Sequence, residues 1–290
     1  MIKIIFLIEN DLKKYHNDNH IRLPKAFEKL GCMTKIVSHN DVYVRSNNLF
    51  FGHECANNYD LIWPIGFGNE STFLDRVQLL ELTKNVPLVN NPRSMTFLHG
   101  KQTWLQYMPE THVSNDIEFL KSIIDQGGDW ICKPTASSFG KDVSLCKDGD
   151  DPNEILQSLT RNNKQVEPKY CMIQRYIDEI KNGELRTIIA AGKVIGSYLR
   201  IPRDGLRANL NANADIEKGV PNTYQERLID ELSSRLLENG ILFAAIDLVG
   251  NYLMEVNIAN PGGLESLKKI YGSDPDLLTA KHILDKIISK

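Results

Sequence analysis

Short apolar runs alternate with helical patterns over the first third of the chain. The apolar runs predict strands at Ile4–Ile8, Thr34–Ser38, Leu61–Ile65 and Pro87–Asn90. Helical patterns lie between them, at Ile21–Leu30 and Thr72–Thr83. Strands that alternate with helices predict a parallel sheet that is covered on both faces. Because the residue before a proline avoids the helical region, Asn91-Pro92 ends this unit. We therefore predict an N-terminal α/β domain over residues 1–92.

Hairpins and separate helices replace this alternation in the rest of the chain. The predicted elements are a helix at about Ser94–Tyr107, strands at Trp130–Lys133, Asp142–Cys146 and Tyr170–Ile177, a helix opened by Pro152, a hairpin at Leu185–Ile201, and two last helices that end at Lys290. Thr223 and Glu226 form a capping-box pattern that predicts a further long helix. This order predicts an α+β module over 93–290, with one lobe at 93–169 and another at 170–290.

A polar stretch from Arg203 to Val220 interrupts the second lobe. Within it, Asn209–Ala214 has too few apolar residues to pack against a core. We therefore predict a mobile loop there, since unpacked polar segments lie at the surface and move readily.

The most informative segment is a hairpin between Ile246 and Ile258, with Gly250-Asn251 at its turn. A three-residue loop from Gly250 to Tyr252 would pair Val249 with Leu253 and Asp247 with Glu255. This register separates polar from apolar side chains, whereas a two-residue loop would mix them. The polar face then holds Asp247, Glu255 and Asn257, and the apolar face holds Ala244, Ile246, Leu248, Met254, Val256 and Ile258.

Two facing carboxylates with an amide beside them repel each other unless a cation lies between them. Hard oxygen ligands suit Mg²⁺, which usually keeps several waters and also binds substrate phosphates. The same pattern fits a strand edge at which both carboxylates face water. The hairpin alone leaves both interpretations open.

A second candidate site follows the apolar strand Trp130-Ile-Cys-Lys-Pro134. Its Lys133 precedes a loop of small residues, Thr135-Ala-Ser-Ser-Phe-Gly-Lys141. Backbone N–H groups and hydroxyls of such a loop can approach phosphate oxygens closely, and a lysine adds a point charge. The pattern is typical of phosphate binding but is weak by itself.

Composition narrows the possible partners. The 290 residues are 42% hydrophobic and 24% charged, as is ordinary for a globular protein, and the net charge of −3 argues against a nucleic-acid binder. No apolar run approaches the ~20 residues of a membrane span, and the N-terminus lacks a signal-peptide cleavage site. Five widely spaced cysteines without a Cys-x-x-Cys pair predict reduced thiols in a cytoplasmic protein.

Several segments taken in order carry a family resemblance. They are Tyr170-Cys-Met-Ile-Gln-Arg-Tyr176, Ile180-Lys-Asn-Gly-Glu-Leu-Arg186, Leu199-Arg-Ile-Pro202, Arg207-Ala-Asn-Leu210, and Ala245-Ile-Asp-Leu-Val-Gly250 with Glu255-Val-Asn257. With this set the chain resembles bacterial-type glutathione synthetases, which are ATP-grasp enzymes, over most of its length. The resemblance implies an N-terminal parallel-sheet α/β domain followed by an α+β ATP-grasp module of two lobes, with ATP between the lobes.

The resemblance also implies a role for each matching residue. Those for ATP are Lys101 and Lys133 at the phosphates, Gln174, Arg175, Tyr176 and Ile177 in a hinge strand whose backbone receives adenine, and Glu184 at the ribose. Those for Mg²⁺, or Mn²⁺ in its place, are Asp247, Glu255 and Asn257. The implied catalytic side chains are Arg186, Arg200 and Arg207, of which Arg207 lies with Asn209 on the polar loop that closes over the substrate in the family.

Physical reasoning adds a second substrate contact, and it also leaves simpler interpretations open. The Gly262-Gly263 start of a helix could present N–H groups to a substrate carboxylate, or serve only as a turn. Lys101, Arg186 and Arg200 fit exposed surface positions equally well, and Glu184 fits a turn.

The expected activity is ATP-dependent joining of a carboxylate to an amine through an acyl phosphate, with γ-glutamylcysteine and glycine as first choice. The segment Trp63–Asn69 lacks the basic-acidic-proline pattern associated with γ-glutamylcysteine and is nearer to ligases that act on peptide or protein termini. One alternative is therefore the addition of an amino acid such as glutamate to such a terminus. Another is a nucleotide-binding module without catalysis. We expect a small-molecule or peptide substrate, no nucleic-acid or membrane partner, and a homo-oligomer.

Overall fold

The computed structural model describes residues 1–12, 17–83, 85–135, 142–161, 167–203 and 214–289. Within these ranges the strands are β1 (Lys3–Ile8), β2 (Met33–Ser38), β3 (Val42–Arg45), β4 (Asn48–Phe51), β5 (Glu54–Cys55), β6 (Leu61–Pro64), β7 (Thr111–Ser114), β8 (Trp130–Pro134), β9 (Ser144–Cys146), β10 (Cys171–Arg175), β11 (Glu184–Ala190), β12 (Lys193–Ile201), β13 (Asp215–Lys218), β14 (Phe243–Val249) and β15 (Tyr252–Asn257). The α-helices are α1 (Asn19–Lys29), α2 (Phe73–Leu80), α3 (Pro92–Leu98), α4 (Ile117–Ile124), α5 (Asn153–Thr160), α6 (Thr223–Glu238), α7 (Leu264–Tyr271) and α8 (Pro275–Ile288).

A three-stranded parallel sheet in the order β2–β1–β6 forms the N-terminal part. Alternate residues of β1 enter two different cores, since Ile4 and Phe6 pack on the side of α1 whereas Ile5 and Leu7 pack on the side of α2. All four side chains are fully buried. The predicted parallel sheet with two covered faces is confirmed.

The predicted strand at Pro87–Asn90 contracts to a single bridge between Leu88 and Ile62. The side chain of Asn90 explains why the pairing stops there. Its Nδ2 donates to the carbonyl oxygens of Phe243 and Ile258, at 2.7 Å each, and its Oδ1 accepts from the N–H of Leu242 at 2.7 Å. Satisfying those buried groups draws the chain away from the N-terminal sheet.

A small antiparallel sheet, β3–β4–β5, was not predicted. Ser46 and Asn47 turn the chain between β3 and β4 with φ of 50° and 62°. Both angles are positive, as in the hairpin turns that match strand twist. Leu49 and Phe51 of β4 bury themselves against the core beside α2, which fixes the small sheet to the parallel one.

Four antiparallel strands in the order β7–β10–β8–β9 form the first lobe, with α4 and α5 packed on them. The helix predicted at Ser94–Tyr107 is broken. It consists of α3 and a 3₁₀ helix, Lys101–Tyr107, because Gly100 between them is extended (φ −69°, ψ 128°). The break determines where Lys101 points.

Five antiparallel strands in the order β13–β12–β11–β14–β15 form the second lobe. β13 lies in the polar stretch from Arg203 to Val220, just after the predicted mobile segment, and was not predicted. An edge strand needs only backbone bonds to β12 and little apolar surface. Residues 204–213, which include most of the predicted mobile segment, lie outside the described ranges. The capping box of α6 is formed by Asn222 and Gln225, one residue before the predicted pair Thr223 and Glu226.

The register of the β14–β15 hairpin is partly as predicted. Asp247 does pair with Glu255, but Val249 pairs with Tyr252 and not with Leu253. A β-bulge after Asp247 accommodates Met254 as an additional residue, so a two-residue turn and the Asp247–Glu255 pair coexist. Consequently Leu253, rather than the predicted Met254, lies in the core under α6.

The second-lobe sheet separates two apolar cores. One face packs through Ile188, Tyr198 and Ala245 against the parallel sheet, and the other packs against α6. The three tryptophans, Trp63, Trp104 and Trp130, are core residues and are at most 2% exposed. All five cysteines are free thiols, as predicted. No helix in the described ranges has the length and apolar character needed to cross a membrane.

Candidate active site

Alternation along the second-lobe strands gathers six polar side chains on one face. Register places Glu184 of β11 beside Arg200 of β12, and Arg186 beside both Tyr198 and Asp247. Asp247 in turn lies opposite Glu255. Since side chains two residues apart share a face, this face is shared by Glu184, Arg186, Arg200, Asp247, Glu255 and Asn257.

Asp247 is the centre of this group and is fully buried (0% exposed). Arg186 donates to it in a bidentate manner, from Nε to Oδ1 at 2.7 Å and from Nη2 to Oδ2 at 2.6 Å. Arg200 Nη2 and Asn257 Nδ2 each lie 3.0 Å from Oδ2. Burial alone would raise the pKa of Asp247, but the charges of Arg186 and Arg200 outweigh burial and hold this pKa below its ordinary value. Asp247 is therefore a carboxylate.

Arg200 joins Asp247 to Glu184 and still has an unused donor. Its Nη2 lies 2.6 Å from Glu184 Oε2. Burial raises the pKa of the Glu184 carboxyl above its ordinary value despite the charge of Arg200. The Nε of Arg200 is buried and has no hydrogen-bond partner among the described residues. Because a buried N–H without an acceptor is costly, this donor indicates a place for a ligand anion.

Lys101 reaches the same face from the broken helix. Its Nζ lies 2.7 Å from Glu255 Oε1, with 12% of the lysine and 32% of the glutamate side chain exposed. Burial alone would raise the pKa of Glu255, but the charge of Lys101 opposes it and the pKa lies below its ordinary value. Both residues are thus charged and paired.

Lys133 and Gln174 approach from the first-lobe sheet. Lys133 Nζ donates to Gln174 Oε1 at 2.8 Å, and Gln174 Nε2 donates to Thr111 Oγ1 at 2.9 Å. Burial, and then repulsion by Lys101, lower the pKa of Lys133 to about 8. The charge of Glu255 acts in the opposite direction on the same group. The charged side chains of the two sheets therefore lie close enough to interact.

The predicted hinge residues differ in orientation. The side chain of Arg175 turns away from Gln174 and lies over the ring of Trp130, 3.9 Å from its centroid, with Nη2 2.9 Å from Glu110 Oε2. Tyr176 and Ile177 pack with Ile180, Val249 and Met254 in a small apolar cluster. Arg175 can therefore serve a nucleotide only through its backbone.

Gly262 and Gly263 lie beside Arg186, whose Nη1 donates to the Gly262 carbonyl oxygen at 3.2 Å. Gly263 is the N-cap of α7, where no side chain caps the helix, and its φ is 136°. A Cβ at Gly263 would lie 3.0 Å from the hydroxyl oxygen of Tyr198. Glycine is thus needed at this position both for backbone conformation and for space.

Some predicted site residues lie outside the described ranges, and one buried residue beside the site was not predicted. Arg207, Asn209 and the loop at 136–141 are not among the described residues. Tyr198 lies opposite Arg186, and its buried hydroxyl has no hydrogen-bond partner in the described part of the chain. Strand alternation from Arg200, two residues on, would have pointed to it.

The donor set fits a hard divalent cation. Asp247 and Glu255 supply carboxylate oxygens. Asn257 donates from its Nδ2 to Asp247 Oδ2, so its own Oδ1 points away from that carboxylate. Among the described residues no group of three or more His, Cys, Asp or Glu side chains is arranged to hold a metal ion. Two carboxylates and one amide are groups that could hold a divalent cation whose remaining ligands come from water and substrate phosphates.

Comparison with solved structures defines the class. The chain superposes with a TM-score of 0.70 on the ATP-grasp ligase PsnB complexed with a minimal precursor, Mg and ADP, at 12% identity over 98% of both chains. It superposes with a TM-score of 0.69 on a RimK domain ATP-grasp protein from Sphaerobacter thermophilus, at 17% identity over 97% of this chain and 99% of the other. The fold is that of the ATP-grasp proteins, and the predicted fold is confirmed.

Sequence comparison defines the family. The family described as prokaryotic glutathione synthetase, ATP-grasp domain, matches residues 100–272. The chain is 33% identical over 207 residues to the glutathione synthetase of Wigglesworthia glossinidia brevipalpis, which covers 69% of this chain and 64% of that protein. It is 30% identical over 244 residues to that of Prochlorococcus marinus subsp. pastoris, covering 80% and 74%. The chain belongs to the prokaryotic glutathione synthetase ATP-grasp family, and it spans less than two thirds of the Wigglesworthia protein.

Proposed function

We propose that this protein is an ATP-dependent ligase that joins a carboxylate to an amine, with γ-glutamylcysteine and glycine as its substrates. The observation that carries the proposal is the unused, buried Nε of Arg200, which lies next to a paired set of carboxylates and bases. An anionic ligand such as a phosphoryl group would supply the missing acceptor. The family membership supports the same reaction.

The chemistry needs two displacements. A carboxylate oxygen of the first substrate attacks the γ-phosphorus of ATP, and the bond from that phosphorus to the bridging oxygen breaks as ADP leaves. The amine nitrogen then attacks the acyl carbon, the carbon–oxygen bond to phosphate breaks, and the amine loses a proton. Neither step requires a protein nucleophile, so positioning and charge neutralisation are the contributions of the protein.

Each charged residue has a part in this scheme. Lys101 and Lys133 would bind phosphate oxygens, and Arg186 and Arg200 would stabilise the negative charge that spreads over the transferring phosphoryl group. A divalent cation held by Asp247, Glu255 and Asn257, with Mg²⁺ as our first choice, would neutralise phosphate charge. Arg207 and Asn209 would complete the substrate site. Gly262 and Gly263 would present N–H groups to the substrate carboxylate.

The nucleotide itself would lie between the two lobes. We propose that adenine contacts the backbone of the hinge from Gln174 to Ile177 and that Glu184 binds the ribose. The division into 1–92, 93–169 and 170–290 belongs to the same proposal, with one change: β10 pairs with β7 and β8, so the boundary between the lobes moves from residue 169 to the end of β10. The apolar cluster of Tyr176, Ile177 and Met254 supports it, because a purine ring needs an apolar surface next to its polar edge.

A phosphate-release screen tests the reaction. Purified protein with ATP and Mg²⁺ receives γ-glutamylcysteine plus glycine, other dipeptides plus glycine, or peptides plus glutamate, and the products are identified by mass. We expect phosphate release with the first mixture. Release with the peptide mixture alone would reassign the substrates to peptide termini. ATP binding without release in any mixture would refute the ligase proposal.

Glu255→Gln tests the site within the same assay. We expect this variant to fold normally and to lose Mg²⁺-dependent turnover, because an amide is a much poorer ligand for a hard cation than a carboxylate. The matched control is Glu226→Gln, an exposed residue of α6, which should keep wild-type turnover. Unimpaired Glu255→Gln enzyme would contradict our assignment of the metal site.

A further inference from the structure

Both carboxylates of the candidate metal site are paired with basic side chains. Asp247 binds Arg186 and Arg200, and Glu255 binds Lys101. A divalent cation that binds Glu255 through Oε1 would therefore compete with Lys101 for that oxygen. The question is which basic side chain leaves.

The two kinds of contact differ in strength. Arg186 is anchored by two parallel bonds to Asp247 and a third to the Gly262 carbonyl oxygen. Lys101 makes a single contact to Glu255, through a compact ammonium on a flexible four-carbon stem. Lys101 also begins its 3₁₀ helix directly after the extended Gly100. Lys101 is consequently the cation that can move with the least loss of other contacts.

Charge balance favours the same conclusion. With every side chain counted as ionised, the described members of the cluster carry a formal excess of one positive charge. They are the bases Lys101, Lys133, Arg186 and Arg200 and the carboxylates Glu184, Asp247 and Glu255. A divalent cation bound alone would add two more positive charges to a buried group. Nucleotide phosphates are strongly anionic at neutral pH and would offset that addition. They would also provide a new partner for the displaced ammonium.

We propose that Lys101 holds the place of the divalent cation at Glu255 in the nucleotide-free protein, so that the cation binds tightly only when nucleotide phosphates draw Lys101 away. Lys101 thus makes metal binding depend on nucleotide binding. The proposal rests on the metal site of the proposed function but concerns the state before any reaction.

Direct Mn²⁺ binding without nucleotide tests the proposal. Mn²⁺ prefers the same hard oxygen ligands as Mg²⁺, and its unbound fraction is measured by electron paramagnetic resonance. Wild-type protein should bind Mn²⁺ weakly. Lys101→Met should bind it about tenfold more tightly, since the variant frees Glu255 and removes one positive charge. Lys101→Arg should resemble the wild type because it keeps a cation on Glu255.

Lys133→Met is the matched control for charge alone. Lys133 belongs to the same cluster, but its Nζ binds Gln174 and not a carboxylate. Its removal should change Mn²⁺ affinity much less than removal of Lys101. Equal tightening in both variants, or no tightening in Lys101→Met, would overturn the proposal.

Two further measurements keep the result interpretable. Circular dichroism and thermal unfolding establish that each variant is folded. Adding Glu255→Gln to Lys101→Met should abolish the gained affinity, and gained affinity that survives would place the Mn²⁺ elsewhere and refute the proposal. If the phosphate-release assay succeeds while Mn²⁺ binding does not respond to Lys101, this inference fails and the proposed function stands. If no mixture releases phosphate but Lys101→Met binds Mn²⁺ more tightly than the wild type, the proposed function fails and this inference stands.

Discussion

Replacement of Asp247 by asparagine is the most informative perturbation of stability. Asp247 is fully buried and offers only acceptors to four donor atoms at 2.6, 2.7, 3.0 and 3.0 Å. Asparagine would keep one acceptor and turn an NH₂ group toward other donors. It would also leave Arg186 without its counter-ion and Arg200 with only Glu184. Removing one partner of a buried ion pair costs about 3–5 kcal/mol, since the remaining charge is buried and uncompensated.

That cost should appear in thermal unfolding of the ligand-free protein. For a chain of this size, 3–5 kcal/mol corresponds to a decrease in Tm of ~5–8 °C. Asp215→Asn is the control. It breaks the ion pair between Asp215 and Arg203, in which both side chains are exposed. That variant should melt at the wild-type temperature, since exposed pairs add little.

A double variant tests whether burial of the charges or their pairing dominates the contribution of Asp247 to stability. The double variant Arg186→Met with Asp247→Leu removes both charges, and it should recover part of the lost stability because apolar replacement of a buried pair is close to neutral. An Asp247→Asn protein as stable as the wild type, measured under identical conditions, would refute the reasoning. It would mean that water reaches the cluster and screens it.

Two further predictions concern Lys133 and Gly263. Nucleotide affinity should weaken as pH rises through about 8, because the lowered pKa of Lys133 makes it neutral there while phosphate needs a cation; Lys133→Arg should remove this pH dependence, and a wild-type affinity that stays flat by calorimetry from pH 7 to 9 would contradict it. Gly263→Ala should lose about 1–3 kcal/mol in chemical denaturation, because its φ is 136° and its Cβ would lie 3.0 Å from Tyr198. Gly262→Ala is the control, since the nearest atom to its Cβ is 3.4 Å away, and equal stability of the two variants would show that the conformation at 263 adapts.

The elements that formed as predicted are those whose signal is local. The buried run at β1, the helix α1 and the hairpin β11–β12 each follow from the spacing of apolar residues and a turn residue within the segment. The elements that were missed or changed depend on contacts made elsewhere. β13 exists because β12 offers it an edge, and the strand predicted at Pro87–Asn90 is cut short because Asn90 binds β14.

The candidate site likewise has features that follow from local sequence and features that depend on distant contacts. Alternation along the strand put Glu255 and Asn257 on one face, since a strand reverses side-chain direction at every residue. The pairing of Asp247 with Glu255 was predicted correctly, but the three-residue loop from which it was derived is a two-residue turn followed by a bulge. The bulge at Met254 was not predicted. A bulge loses one hydrogen bond of the strand ladder and permits a tighter turn, and packing decides which of these two effects dominates.

The sequence by itself determined which polar side chains of the β14–β15 hairpin share a face, that β1 is buried, and the family to which the chain belongs. Only the tertiary structure decided which base neutralises which carboxylate. Lys101 meets Glu255, and Lys133 meets Gln174, across separations of 154 and 41 residues. Local periodicity carries no information on such distances, because they are set by how separate sheets pack and by the free energy of burying charges together.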